Sequence, residues 1–269
     1  MNLVKTIKLF SGGKFIRSES GLSFEFGSEP RMRYCDASVK DFRNTVGQAQ
    51  EGYKVWSGYS AYLRAQILYR MAEMTQSRKA EINALFKDLN PGPEFSQKLL
   101  EIMVYYAGFA DKFQQIVSAV NPVQGSFANS SSSESLGVVV VLGENAGNPL
   151  GFIDSLCGVL AGGNSVIGIP GERELPFLAV LSEIFATSDL PPGAANLLSA
   201  KKETLDEVVA SHHEVRGVSV PYSEPSRLSR LRSQGTGNLK RIVSCDGHQC
   251  LEKITSFSET KTTWIPGSY

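Results

Sequence analysis

Over residues 1–120 the spacing of apolar positions changes from that of strands to that of helices. The opening "IKLFSGGKFIRSESGLSFEF" alternates apolar and polar residues around Gly12-Gly13, which predicts two short strands and a hairpin turn, an edge element rather than core. At Ser38 a capping box begins: its hydroxyl can accept an amide, and Asp41 takes the place of the usual Glu three residues on. Phe42, Val46, Ala49 and Tyr53 then recur at helical spacing. A second helix begins near Ser60 and presents Leu63, Ile67, Met71 and Met74 on one face, a stripe read as core. After a break at Pro91 and Pro93, a further helix is predicted from about Phe95 to Val117. Its Tyr105, Tyr106, Phe109 and Phe113 are read as buried against neighbouring helices rather than as an interface.

"VNPVQGSFANSSSSESLG" has no helical period, and its serine run has nothing to bury. It reads as an extended arm or hairpin with a polar tip. From Leu136 the pattern becomes one of alternating strand and helix units. Strands are predicted at Gly137–Leu142, Ser165–Ile169, Ala195–Leu198, Val215–Val220 and Leu239–Val243, with helices near Leu150–Ala161, Leu175–Thr187, Glu203–Ala210 and Pro225–Arg232. Short apolar runs joined by helices favour an α/β fold with a mostly parallel, Rossmann-like sheet covered on both faces. Such sheets place ligands beyond the carboxyl ends of their strands. "GVVVVLGENAGNPLG", a buried strand, a small polar loop and an apolar helix, therefore stands at the level of a site.

Composition narrows this picture without redirecting it. The chain has 269 residues, 42% hydrophobic and 20% charged, with formal net charge zero, so nothing favours nucleic acid or an anionic membrane as partner. No apolar run reaches the roughly 20 residues of a spanning helix, and the N-terminus has no signal-peptide pattern. A cytoplasmic protein is expected. Cys35, Cys157, Cys245 and Cys250 have no CxxC spacing, and His212, His213 and His248 form no zinc motif, so the cysteines read as structural thiols and no metal is expected.

Several ordered segments, "GGKFIRSESG", "YKVWSGYSAYLRAQILYRMAEM", "YYAGFADKFQQ", "VNPVQGSFANSSSSESLGVVVVLG", "LAGGNSVIGIP", "TSDLPPGAANLLSA", "NLKRIVS" and the terminal "ETKTTWIPGSY", resemble the aldehyde dehydrogenase superfamily. They are especially similar to the degenerate carboxyl-terminal module of its family 16 proteins. The resemblance implies N-terminal strands and helices packed on the core (residues 1–120), an oligomerisation hairpin (121–137), a Rossmann-like NAD(P)-binding domain (138–244) and a C-terminal tail with a short strand (245–269). A strand at Lys261–Trp264 can join an intermolecular sheet. The family's catalytic domain is expected to be absent.

In active relatives a thiolate attacks the aldehyde, amides hold the oxyanion, hydride passes to NAD(P), and a glutamate activates water. Measured against that scheme, the glutamate-bearing "ELGG" pattern is missing after Arg241, and Cys250 follows Gln249 as the nucleophile often does, without its glycine-rich context. His248 can lower a nearby thiol's pKa. Counting back from Gly163-Asn164 puts Ala146 at the oxyanion asparagine, with Asn145 one residue out of register and Asn148 close by. Both amides also suit turn and capping roles. The strand end Lys-Pro-Ser-Glu becomes Ile169-Pro170-Gly171-Glu172, which loses the lysine and keeps a carboxylate. The phosphate-facing Gly-Ser motif becomes Pro221 through Ser226, where proline removes an amide and Glu224 adds negative charge.

Cys250 and Asn145 are thus the catalytic candidates, and Gly143, Glu144, Gly171 and Glu172 the candidates for NAD or NADP. Gly147 and Gly151 are further loop glycines that permit close approach. The preferred reading is a noncatalytic aldehyde-dehydrogenase-like protein, a structural or regulatory partner in a homo-oligomer or in a hetero-oligomer with a full-length aldehyde dehydrogenase. One alternative is an NAD(P)-dependent aldehyde dehydrogenase, self-contained through Cys250 or completed by another subunit. Another is a small-molecule sensor using the residual crevice.

Overall fold

The computed structural model describes residues 5–27, 32–86, 94–144, 149–201, 203–245 and 248–267. The break at Pro91 and Pro93, and Asn145, Ala146, Gly147 and Asn148, lie outside the described residues. The chain begins with strands β1 (Thr6–Ile7), β2 (Leu9–Ser11), β3 (Lys14–Ile16), β4 (Ser23–Phe26) and β5 (Met32–Cys35). Helices α1 (Val39–Gly58), α2 (Ala61–Ser77), α3 (Lys79–Leu85), α4 (Phe95–Phe109) and α5 (Phe113–Val117) follow, then β6 (Ala119–Asn121) and β7 (Phe127–Ser135). The remainder alternates as β8 (Val138–Leu142), α6 (Leu150–Ala161), β9 (Ser165–Ile169), α7 (Leu178–Thr187), β10 (Ala195–Leu197), α8 (Asp206–Ser211), β11 (Val215–Ser219), α9 (Pro225–Gln234), β12 (Arg241–Val243), α10 (Glu252–Thr255) and β13 (Ser258–Pro266).

Seven strands form the main sheet in the order β12-β11-β8-β9-β10-β2-β3. The five from β12 to β10 are parallel, and the β2–β3 hairpin adds two antiparallel strands. Connections run from β8 outward to β10 and then return to β11 on the other side, so the order reverses between β8 and β11. A Rossmann-like sheet has its crevice at such a reversal, because the connecting segments leave in opposite directions. Alternation in β8 divides the core. Val139 and Val141 join the side built with α2, α4, α6 and α7, whereas Val138, Val140 and Leu142 join the side built with α8 and the first turns of α1.

Local sequence accounts for several helix starts. Ser38 and Asp41 exchange bonds of 3.1 and 2.9 Å with each other's amides at the start of α1, and Ser60 caps α2 through the Leu63 amide. Gly52 has a different duty: a Cβ there would lie 2.1 Å from the Gly193 carbonyl carbon, so α1 crosses the turn before β10 with backbone against backbone.

Five local expectations are revised. The β2–β3 hairpin forms with Gly12 and Gly13 at positive φ, but β2 is core: it pairs with β10, and Leu9 and Phe10 are buried. In α2, Leu63 is exposed and Met74 half-buried, while Ala65, Ile67, Leu68, Met71 and Ala72 face inward. The buried sector is rotated because α2 packs on α4, α6 and α7 together. The helix predicted over Phe95–Val117 is two helices, turning at 110–112 so that Phe113 enters the core and Gln114 donates to the Ser133 carbonyl of β7. The last parallel strand begins at Arg241 rather than Leu239, which is left-handed and 95% exposed, and α8 begins at Asp206 rather than Glu203, itself left-handed.

The serine-rich segment is strand β7, set between β6 and β13 in a separate three-stranded sheet. β13 pairs with β7 of its own chain from Ser258↔Ser135 to Pro266↔Phe127, a longer strand than the pattern predicted. Among the described residues no helix is long and apolar enough to cross a membrane.

Candidate functional site

Two clefts flank the carboxyl end of β8. The larger, of about 410 Å³, lies on the β9–β10 side, and Gly143, Gly171 and Glu172 line it. The smaller, of about 90 Å³, lies at the strand-order reversal and takes in Glu144, Cys245, His248 and Lys253. The four cofactor candidates named from sequence are thus brought to one place, with Glu144 turned to the other side of the ridge.

That ridge is a contact between two loops. The Gly143 amide donates to the Ile169 carbonyl at 2.8 Å. A Cβ on Gly143 would lie 2.3 Å from the Gly171 nitrogen, and one on Gly171 would lie 2.2 Å from the Glu144 carbonyl oxygen. These glycines are required by the approach of one loop to the other, whatever else the cleft holds.

Beneath them sits Glu174, 1% exposed, which sequence reading passed over. Its carboxyl accepts from the Gly171 amide at 2.8 Å and the Glu144 amide at 3.1 Å. Burial pushes its pKa up to about 8, outweighing the amides, which favour the ionised form. Nothing in "PGERELP" distinguishes Glu174 from Glu172; only the depth of the turn does. Glu144 is also raised, by burial first and then by the Glu224 carboxylate.

The wall opposite is built by α8 and α9. Arg227, 6% exposed, binds Asp206 through two bonds of 2.7 and 2.9 Å, meets Glu224 at 3.0 Å and reaches the Gly143 carbonyl at 3.4 Å. Arg230 also approaches Asp206, at 3.3 Å. Glu224 is the N-cap residue of α9 and Pro225 its first helical residue. A bidentate Arg–carboxylate pair is strong and directional, and here it holds two helices together. Neither Asp206 nor Arg227 was legible beforehand, because 21 residues of chain separate them without a local motif.

At the smaller cleft the deep group is Asp154, fully buried on α6. Lys253, 4% exposed, donates to it at 2.6 Å, the Gln249 amide at 3.1 Å, and His248 stands 3.5 Å away. Gly158, one turn on, leaves the notch that seats Lys253: a Cβ there would lie 2.8 Å from the lysine Cβ. Burial and neighbouring Asp154 push the Tyr106 phenol upward. A sequence signal did exist, since a carboxylate within the apolar "LGFIDSLCGVLA" demands a partner.

Cys250 lines neither cleft. It is half-buried behind the Asp154 cluster, its carbonyl accepting from the Tyr106 hydroxyl at 3.5 Å. The thiol that reaches the smaller cleft is Cys245, which burial pushes above its ordinary pKa, the reverse of an activated nucleophile. His248 is directed at Asp154. Asn145 is outside the described residues, and among the described residues no group of His, Cys, Asp and Glu could hold a metal ion.

Residues 26–244 match the sequence profile described as the aldehyde dehydrogenase family. Solved structures with the same fold include the NAD+ complex of an aldehyde dehydrogenase from Bacillus cereus, at TM-score 0.80 and 21% identity over 89% of this chain and 50% of that one. A putative aldehyde dehydrogenase from Burkholderia cenocepacia gives TM-score 0.78 and 24% identity over 88% of this chain and 50% of that one. An NADP-dependent enzyme from E. coli gives 0.79 and 16% over 89% and 51%. The chain spans about half the length of these structures.

Proposed function

Because the chain belongs to the aldehyde dehydrogenase family, we propose that it is a noncatalytic member of it, one that keeps the nucleotide-fold frame and serves as a structural or regulatory partner in an oligomer. The observation that carries this reading is the internal consumption of the donors around the larger cleft. Arg227 is held by Asp206 and Glu224, and the amides of Gly171 and Glu144 are held by Glu174. A pyrophosphate needs free amides or cations, most readily at a helix N-terminus. Here that end of α9 carries a carboxylate and a proline. Among the described residues, the groups at this cleft do not fit NAD(P).

The thiols support the same reading. An aldehyde-oxidising thiol must be exposed, ionisable and next to oxyanion donors. Cys250 lines neither cleft and Cys245 is raised by burial. No disulfide joins the four cysteines, which suits a cytoplasmic protein.

The partner surface in this reading is the β6–β7–β13 sheet, where Val120, Phe127, Trp264 and Ile265 are exposed. We read residues 121–137 as the oligomerisation hairpin, 138–244 as the nucleotide-fold unit, and the partner as a second copy or a full-length aldehyde dehydrogenase. Similarity of the ordered motifs to the degenerate module of family 16 supports this assignment.

Light scattering on the purified chain is expected to give an oligomer, and absorbance at 340 nm no aldehyde-dependent reduction of NAD+ or NADP+. Titration calorimetry is expected to give no saturable binding of either dinucleotide. Aldehyde-dependent turnover that Cys250→Ala abolishes would overturn the reading.

A further inference from the structure

We propose that the larger cleft takes a small organic cation, an ammonium group carried on an apolar or aromatic body. The inference rests on the reading that this crevice does not hold a dinucleotide. Its volume of about 410 Å³ falls within the roughly 300–1,000 Å³ of small-molecule pockets. Its apolar lining includes two phenyl rings, Phe24 and Phe26 of β4, together with Leu175 and Leu205.

Charge selects the ligand. Glu25, Glu172, Glu203 and Asp206 line the cleft against Lys201 and Arg227. Arg227 is committed to Asp206 and Glu224, while Lys201, 59% exposed, approaches Asp36 at 3.7 Å. Three of the acids are likewise paired: Glu25 with Arg33, and Glu203 and Asp206 with Arg230. Glu172 has no ion pair or side-chain hydrogen bond among the described residues, and Arg173 beside it does not line the cleft. An anion entering this space meets an excess of carboxylate. An ammonium meets Glu172, which has no ion pair among the described residues, beside two phenyl rings of the kind that attract a cation. The apolar body of such a ligand gains by leaving water against Phe24, Phe26 and Leu175.

Titration calorimetry of the full chain at pH 7 and low salt, with phenethylamine, 2-phenylethanol and AMP as probes, tests the proposal. Saturable binding of the amine is expected, with the alcohol at least fivefold weaker. Glu172→Gln is expected to weaken the amine at least fivefold, and Glu134→Gln, on the separate β7 sheet, to leave it unchanged. Absence of amine binding, equal affinity for amine and alcohol, or indifference to Glu172→Gln would each overturn the proposal. If AMP is also silent, the loss of dinucleotide binding stands and only the cation site falls. AMP binding tighter than the amine would overturn both.

Discussion

Behind the lining of each cleft beside β8 sits a buried carboxyl group, Asp154 at the smaller and Glu174 at the larger, and the two are satisfied in different ways. Asp154 faces an ammonium at 2.6 Å, while Glu174 faces two backbone amides and, among the described residues, no cation. Charge removed from water needs either an opposite charge or dense hydrogen bonding. The first solution makes Asp154 a tether that draws residues 249–253 across α6. The second leaves Glu174 inclined to hold its proton, and makes it a clasp between the loops after β8 and β9. One anchor depends on charge; the other depends on shape.

The largest effect should come from breaking the charged anchor. Lys253→Met leaves Asp154 buried without its cation and is expected to cost about 3–5 kcal/mol in urea unfolding. Adding Asp154→Leu should restore much of that, since an apolar pair of similar volume replaces a desolvated ion pair. A double variant no more stable than the single one would show that Lys253 acts by packing in the Gly158 notch.

Breaking the shape-dependent anchor should cost less. Gly171→Ala forces a methyl to within 2.2 Å of the Glu144 carbonyl oxygen, and the resulting shift of the two loops is expected to destabilise the chain by about 1–3 kcal/mol. Hydrogen exchange should then show faster exchange of the Gly171 and Glu144 amides, with the Asp154 cluster unchanged.

Titration sharpens the contrast further. A carboxyl group whose pKa rises from 4.5 unfolded to about 8 folded binds its proton more tightly in the native state, so its contribution to stability is complete below pH 4.5 and is lost as pH rises toward 8. Glu144, raised by burial, acts in the same direction. Lys240 acts oppositely and later: its pKa is lowered by burial to about 8, so its unfavourable contribution disappears between pH 8 and 10.5. Glu174→Gln is therefore expected to flatten the fall in melting temperature between pH 4.5 and 8. A slope unchanged by that substitution would place the titration elsewhere.

The smallest effect is expected from His248→Ala. This side chain is 57% exposed and 3.5 Å from a carboxylate already paired with Lys253, so less than about 1 kcal/mol should change. A larger loss in urea unfolding would mean that the histidine, not the lysine, anchors the segment.

These anchors also mark where sequence reading succeeds and where it stops. The parallel strands stand out as short apolar runs because both faces of the sheet are covered, so every position of Val138–Leu142 and Ser165–Ile169 is buried. Ser38 and Ser60 announce their helices because a cap is completed within a few residues. The gathering of Gly143, Glu144, Gly171 and Glu172 at one ridge was legible because parallel strands carry their following loops to the same end. Their division between two clefts was not, nor was the burial of Glu174 rather than Glu172, which depends on how the turn before α7 descends. The Asp206–Arg227 pair was hidden because its members come from different helices.

By itself the sequence determined an α/β chain of the aldehyde dehydrogenase family with a parallel sheet and a polar serine-rich strand, since period, capping and motif order all act over short stretches of chain. Only the tertiary structure decided which carboxyl groups are buried, which cations they hold, and which donors around the crevice remain open. Those outcomes depend on desolvation and on contacts between residues tens of positions apart, and neither is written in any local pattern.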